Sequence, residues 1–215
     1  MALNIPGGEF LTGSLDVISQ SLTIPVLIIL LVIVIISIIS LGGLIAEYTS
    51  RRKVPVGTIR DLIYEINASE SQEKLLSVIS SANIPKSQKK VLTEIASSNE
   101  LGNSSREALD RKLFEFEEEK TESSLQKTDI ITRIGPTLGL MGTLIPMGPG
   151  LAALGAGDIN TLASSLTVAF NTTIVGIGSG ALCYVIGKIR SGWYDRYLSD
   201  LDALSDAVLD YMNKQ

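Results

Sequence analysis

Three stretches of the chain contain no Asp, Glu, Lys or Arg: Val17–Ala46, Ile134–Gly157 and Ile159–Gly187. Each is longer than the roughly 20 apolar residues that cross a hydrocarbon core of about 30 Å, so together they predict three transmembrane helices. The first is β-branched and apolar on every side from Leu22 to Leu41, and a helix with no polar face calls for lipid around it. A cleaved signal peptide does not fit, because no Lys or Arg precedes the run and the run is too long.

The remaining pattern is helical as well. Val56–Ile66 carries an apolar stripe at helical spacing. Ser69-Glu-Ser-Gln72 reads as a capping box opening onto Leu75, Leu76, Val78 and Ile79, with Asn83 as the stop. A further helix can begin at Pro85 and carry Val91, Leu92 and Ile95 on one face, after which Ser97–Ser105 reads as a loop. No Gly or Pro occurs from Ser104 until Gly135, so one long helix can run straight into the second span.

Beyond the third span, Trp193, Tyr197, Leu201, Leu204, Val208 and Tyr211 recur at steps of three and four, with Asp195, Asp200, Asp202, Asp206 and Asp210 off the stripe. Such a stripe needs a partner surface. A helix from about Asn160 to Met212 would be roughly 80 Å long at 1.5 Å per residue, and the chain offers few other helices to cover it, so a homo-oligomer is expected. No strand-like alternation occurs. The fold class is an all-α integral membrane protein: three transmembrane helices with long cytoplasmic helical extensions in an oligomeric helical bundle.

Charge sets the orientation. All 18 Lys and Arg lie between Glu47 and Arg133 or between Lys188 and Gln215, and basic residues are retained on the cytoplasmic side of cell membranes. The expected layout is an external segment at 1–21, spans at 22–47, 133–157 and 158–187, a cytoplasmic helical region at 48–132 and a cytoplasmic tail at 188–215. The protein then sits in the plasma or inner membrane with its N-terminus outside and its C-terminus cytoplasmic. Arg51-Arg52-Lys53 reads as a topology signal that also meets lipid headgroups, with no nucleic-acid partner.

Composition removes several chemistries. The chain has no histidine, which excludes Ser-His-Asp and Cys-His catalysis and a His-bearing zinc site. The lone Cys183 can form no internal disulfide and reads as a packing residue. With no intramembrane Asp pair or Ser-Lys pair, no enzyme, catalytic residue, metal or cofactor is expected.

The spans hold glycines and hydroxyls instead. Span two is rich in Gly and broken by Pro136, Pro146 and Pro149, and Gly135, Gly139 and Thr143 follow at four-residue steps, a face that admits another backbone closely. Span three carries Thr161, Ser164, Ser165, Thr167, Asn171, Thr172, Thr173 and Ser179 among Gly176, Gly178 and Gly180. Such groups face other helices or a wet cavity rather than lipid. Simple helix packing and a hydrated ion path along Thr143, Thr172 and Thr173 both meet that demand. None of the three charge-free runs contains a titratable carboxylate, Lys or His, so a proton crossing here needs a carboxylate from another polypeptide.

After Arg133-Ile134, the run Gly135-Pro136-Thr-Leu-Gly139-Leu140-Met-Gly142-Thr143 resembles the A-P-x-x-G-L-x-G-T motif of the second span in ExbB/TolQ/MotA proteins. Ala169-Phe-Asn-Thr-Thr173-Ile-Val-Gly176-Ile177 is similar to the A-L-x-x-T-x-x-G-L motif of their third span. Three spans match the ExbB/TolQ branch rather than the four-span MotA branch. By motif the resemblance covers about Arg133 to Ile189.

The resemblance implies a homopentamer whose second and third spans ring a pore holding the membrane helices of a dimeric, single-span ExbD/TolR/MotB-like partner. An Asp of that partner binds the translocated H+ or Na+, and ion flow drives mechanical work, as in a stator. Thr143 and Thr173 are then the pore threonines, while Gly135, Pro136, Gly139, Gly142 and Gly176 pack helices. The sequence departs from the pattern at Val168, where bacterial ExbB-like chains carry an acidic residue, and at Pro146, where Gly is usual. Ser165, Asn171 and Thr172 add oxygen ligands of the kind a hard cation such as Na+ takes. The alternative reading is a non-conducting membrane scaffold that organises partners through its cytoplasmic helices.

Overall fold

The computed structural model describes residues 8–50 and 54–214, so Arg51-Arg52-Lys53 and the headgroup contact expected there lie outside the described residues. The described residues form six helices and no strand: α1 (Gly8–Ser50), α2 (Val56–Asn67), α3 (Gln72–Ser81), α4 (Lys86–Ala96), α5 (Asn103–Gly155) and α6 (Ile159–Asn213). Of these, α1, α5 and α6 are long and apolar enough to cross a membrane, and the chain is a multi-pass helical membrane protein. It divides into two compact units, Met1–Ala46 with Gln126–Lys188, and Glu47–Leu125 with Ile189–Gln215.

In the first unit, α1 buries one narrow stripe, Val26, Leu30, Ile33 and Ser37. Its other faces expose Ile24, Leu31, Ile35 and Ile39, side chains for which a bilayer is the matching solvent. Ser37 Oγ donates to the Ile33 carbonyl at 2.7 Å and lies 3.3 Å from the buried Cys183 Sγ of α6. A hydroxyl in an apolar stripe is thereby satisfied twice, and the thiol fills space as the sequence led us to expect.

One expectation fails here: Pro136, Pro146 and Pro149 do not break the second span, and α5 runs as one helix through all three. Each proline removes one backbone donor and frees one carbonyl, but neighbouring helices and local hydroxyls within a membrane bundle can absorb that loss.

The second unit has an ordinary hydrophobic core. Ile59, Leu62 and Ile66 of α2, Leu75 and Ile79 of α3, and Val91, Leu92 and Ile95 of α4 enclose Leu201, Leu204, Val208 and Tyr211 of α6. The tail stripe therefore finds its cover within its own chain, so it does not call for a second copy. Two boundaries also shift. Ser71, not Ser69, caps α3, accepting from the Lys74 amide at 3.3 Å. Ser69 instead folds back to the Glu65 carbonyl and Gln72 reaches the Ala96 carbonyl at 2.8 Å, so the residues of the expected box serve two other joints. The loop ends earlier than expected, with α5 starting at Asn103.

Polar groups tie the long helices into this core. The Tyr197 hydroxyl donates to Glu117 Oε2 at 2.7 Å and lies 2.8 Å from Ser87 Oγ, while Gln88 Nε2 donates to the Tyr197 carbonyl at 2.9 Å. Burial, together with the Glu117 carboxylate, pushes the Tyr197 phenol far above its usual range.

Burial also raises Asp110 on α5 above its ordinary 3.8, with Asp206 and Asp202 of α6 adding to the effect and a hydrogen bond from Ser205 opposing it. A raised folded-state value means that the folded chain holds this proton more tightly than the unfolded chain, so the stability it confers is present at low pH and lost as pH rises through that value. Asp110→Asn is therefore expected to melt above the wild type at neutral pH. The gap should narrow as pH falls toward 3.8, which thermal unfolding of the full chain across pH measures. A gap independent of pH counts against this account.

Candidate functional site

The spans of α5 and α6 meet along a seam made almost entirely of small residues. They are joined through Ala156–Asp158, where Gly157 adopts φ +83° and Asp158 Oδ1 accepts from the Thr161 amide at 3.1 Å. The turn reverses the chain, and the contacts run antiparallel: Gly135 opposes Gly176 and Gly180, Gly139 opposes Gly176 and Thr172, Gly142 opposes Thr172, and Gly150 opposes Ser165.

The approach is backbone on backbone. A Cβ placed on Gly176 would lie 2.5 Å from the Gly135 carbonyl oxygen and 2.7 Å from Gly139 Cα, and one on Gly139 would lie 3.2 Å from Gly176 Cα. Small residues at four-residue spacing give this proximity, and it brings hydroxyl groups from the two helices within reach of each other.

Thr143 and Thr173 are the pair so formed. Their Oγ1 atoms are 3.0 Å apart, both half-buried. Thr143 Oγ1 also lies 2.9 Å from the Gly139 carbonyl, and Thr173 Oγ1 3.0 Å from the Ala169 carbonyl. A hydroxyl has one hydrogen and two lone pairs. Two hydrogens thus serve three contacts, and most of the lone pairs remain open. The pair is an acceptor-rich spot in an environment with no ionisable side chain, suited to a donor such as water or a protonated carboxyl, or to a cation.

The other candidates fall in different places. Thr172 is buried against Gly142 and bonded back to the Val168 and Ala169 carbonyls at 3.0 and 2.9 Å, which puts it in the helix joint. Ser165 is half-buried against Gly150 near the turn. Asn171 is exposed and is not brought to the threonine pair, because two residues along a helix turn the side chain by about 200°. Gly135, Pro136, Gly139, Gly142 and Gly176 all lie in the seam.

The sequence did not single out Gly180, which leaves room for the Pro136 ring: a Cβ there would lie 2.9 Å from Pro136 Cδ. The signal available was its position four residues after Gly176. No group of three or more His, Cys, Asp or Glu able to hold a metal occurs among the described residues.

Comparison with known proteins matches residues 67–203, more than half of the chain, to a family model described as the MotA/TolQ/ExbB proton channel family. A search of curated proteins finds no match to the chain.

Proposed function

Because the chain belongs to the MotA/TolQ/ExbB proton channel family, we propose that it is the ring-forming channel subunit of a stator that converts transmembrane ion flow into mechanical work. Five copies surround a dimeric, single-span partner of the ExbD/TolR/MotB kind, with the N-terminus outside and the charged second unit in the cytoplasm. The observation that carries this reading is the pair of threonine hydroxyls 3.0 Å apart across a glycine seam, within the charge-free runs Ile134–Gly157 and Ile159–Gly187.

The chemistry of the pair favours one protonation state of the partner's carboxyl. An ionised carboxylate only accepts hydrogen bonds, so binding it would require Thr143 or Thr173 to give up an existing acceptor, a backbone carbonyl or the other threonine. A protonated carboxyl donates, and the open lone pairs receive it without that loss. Each such bond is worth about 0.5–1.5 kcal/mol net, enough to bias the loaded partner toward the seam and the unloaded partner away from it. A carboxyl carried past successive subunits would thus bind loaded and leave after discharge.

The test is ion flux in vesicles containing the chain and its single-span partner, under a gradient of protons alone or of sodium alone. Flux under the proton gradient that vanishes when the partner's intramembrane Asp is replaced by Asn supports the reading. Flux under sodium alone transfers the same role to Na+. A vesicle tight to both ions overturns it.

A further inference from the structure

The second unit holds a partly open cavity of about 1260 Å³ that the channel reading does not use. Its wall includes the aromatic pair Tyr48 and Trp193, whose ring centroids are 6.1 Å apart, and the basic side chains of Lys86, Lys89, Lys120 and Arg196. Its carboxylates are already engaged: Glu47 lies 3.0 Å from Arg190, Glu117 holds Tyr197 and lies 3.3 Å from Lys120, and Asp200 has a partner of its own. Among the described residues, Lys86, Lys89 and Arg196 make no ion pair. The wall is therefore locally cationic although the chain as a whole carries −5.

Two further features call for a ligand that both accepts and donates hydrogen bonds. The start of α4 lines the cavity without a side-chain cap, leaving amide donors that favour an anion. Gln88 lies in the same wall, 1% exposed, with Oε1 lacking any hydrogen-bond partner among the described residues.

The position of the wall along the chain identifies the source. Glu47 and Tyr48 directly follow the first charge-free run, which ends at Ala46. Trp193 lies about 9 Å along α6 beyond Gly187, the end of the third, at 1.5 Å per residue. The interfacial layer on each side of a bilayer is about 5–8 Å thick, so Tyr48 falls within it and Trp193 at its outer edge, and Trp and Tyr concentrate at membrane interfaces.

We propose that this cavity binds the phosphate headgroup of an anionic membrane lipid whose headgroup also donates hydrogen bonds, with Lys86, Lys89 and Arg196 neutralising the phosphate and the Tyr48–Trp193 pair packing on its glycerol end. Lipid occupancy would fill the space between α4 and α6 and link membrane composition to the packing of the second unit.

Trp193 is the chain's single tryptophan, so its fluorescence reports on the cavity directly. The full-length protein in detergent is titrated with phosphatidylglycerol, with phosphatidylcholine, and with soluble glycerol phosphate. A saturable change with phosphatidylglycerol alone is expected. The triple variant Lys86→Gln, Lys89→Gln, Arg196→Gln should raise the half-saturation concentration about a hundredfold, taking the usual contribution of a basic residue at an anionic surface. Lys112→Gln, which removes a charge outside the cavity, should leave it unchanged. Should the triple variant not fold, Lys86→Gln alone, at an exposed position, should raise it severalfold. Equal responses to phosphatidylcholine or glycerol phosphate, or cation-depleted variants that bind like the wild type, overturn the proposal.

Discussion

Replacing Thr143 and Thr173 together by Val is expected to lower partner-dependent ion flux severalfold to a hundredfold, on the order of one or two lost hydrogen bonds, while leaving the assembled protein intact. Val keeps the branched shape, so the seam stays filled, and removing both members of a half-buried hydrogen-bonded pair is close to neutral for stability, unlike removing one. The Gly139 and Ala169 carbonyls that lose a hydroxyl remain acceptors of their own helix bonds. What disappears is the cluster of open lone pairs. Hydrogen bonds from a neutral donor such as the protonated carboxyl or water contribute about 0.5–1.5 kcal/mol each, and every 1.4 kcal/mol of barrier is about tenfold in rate, so losing one or two should lower flux by on the order of several- to a hundredfold. Thr143→Ser, which keeps the oxygen, should retain most of it. Full flux in the double Val variant, with normal oligomer and partner content, would remove the pair from the ion path.

How much of this was legible beforehand depends on the physics behind each feature. The spans and the long helices were legible, because a run such as Ile159–Gly187 has no charge to place and α6 has no Pro within Ile159–Asn213 to end it. The threonine pair was singled out residue by residue from two spaced motifs, yet its 3.0 Å contact was not, since that depends on the antiparallel register set by the turn at Gly157. The same register decides that Thr172 points into Gly142 while Asn171 does not, a distinction invisible in a string where the two are neighbours. The prolines misled because the penalty that breaks a helix in water is softened where neighbouring helices and hydroxyls stand in for the lost bond. The tail stripe misled in the opposite sense: it announced a partner surface, and α2–α4 supply that surface from the same chain. Periodicity shows that a face is covered and leaves open which helix covers it.

The seam makes a second large prediction, in the form of an order rather than a single value. At Gly176, a Cβ would meet the Gly135 carbonyl oxygen at 2.5 Å, Gly139 Cα at 2.7 Å and Gly139 N at 2.9 Å, all backbone atoms that move only if whole helices separate. At Gly142, it would meet one atom that cannot rotate away, Thr172 Cβ at 2.7 Å, while Oγ1 at 2.8 Å and Cγ2 at 3.0 Å can shift to a second helical rotamer. At Gly178, nothing lies within 4 Å, and Ala is the better helix former. Gly176→Ala should therefore cost the most, about 1–3 kcal/mol or more as for other overpacked cores, Gly142→Ala less, and Gly178→Ala nothing measurable. Flux should follow the same order, because Thr173 lies within one turn of Gly176 and Thr143 one turn after Gly139, so the helix separation that relieves the clash also opens the 3.0 Å hydroxyl contact. Thermal unfolding and flux measured on the same three proteins decide the matter. If Gly178→Ala proved as damaging as Gly176→Ala, the critical face of α6 would lie away from α5, and the threonine pair would lose the support that holds it together.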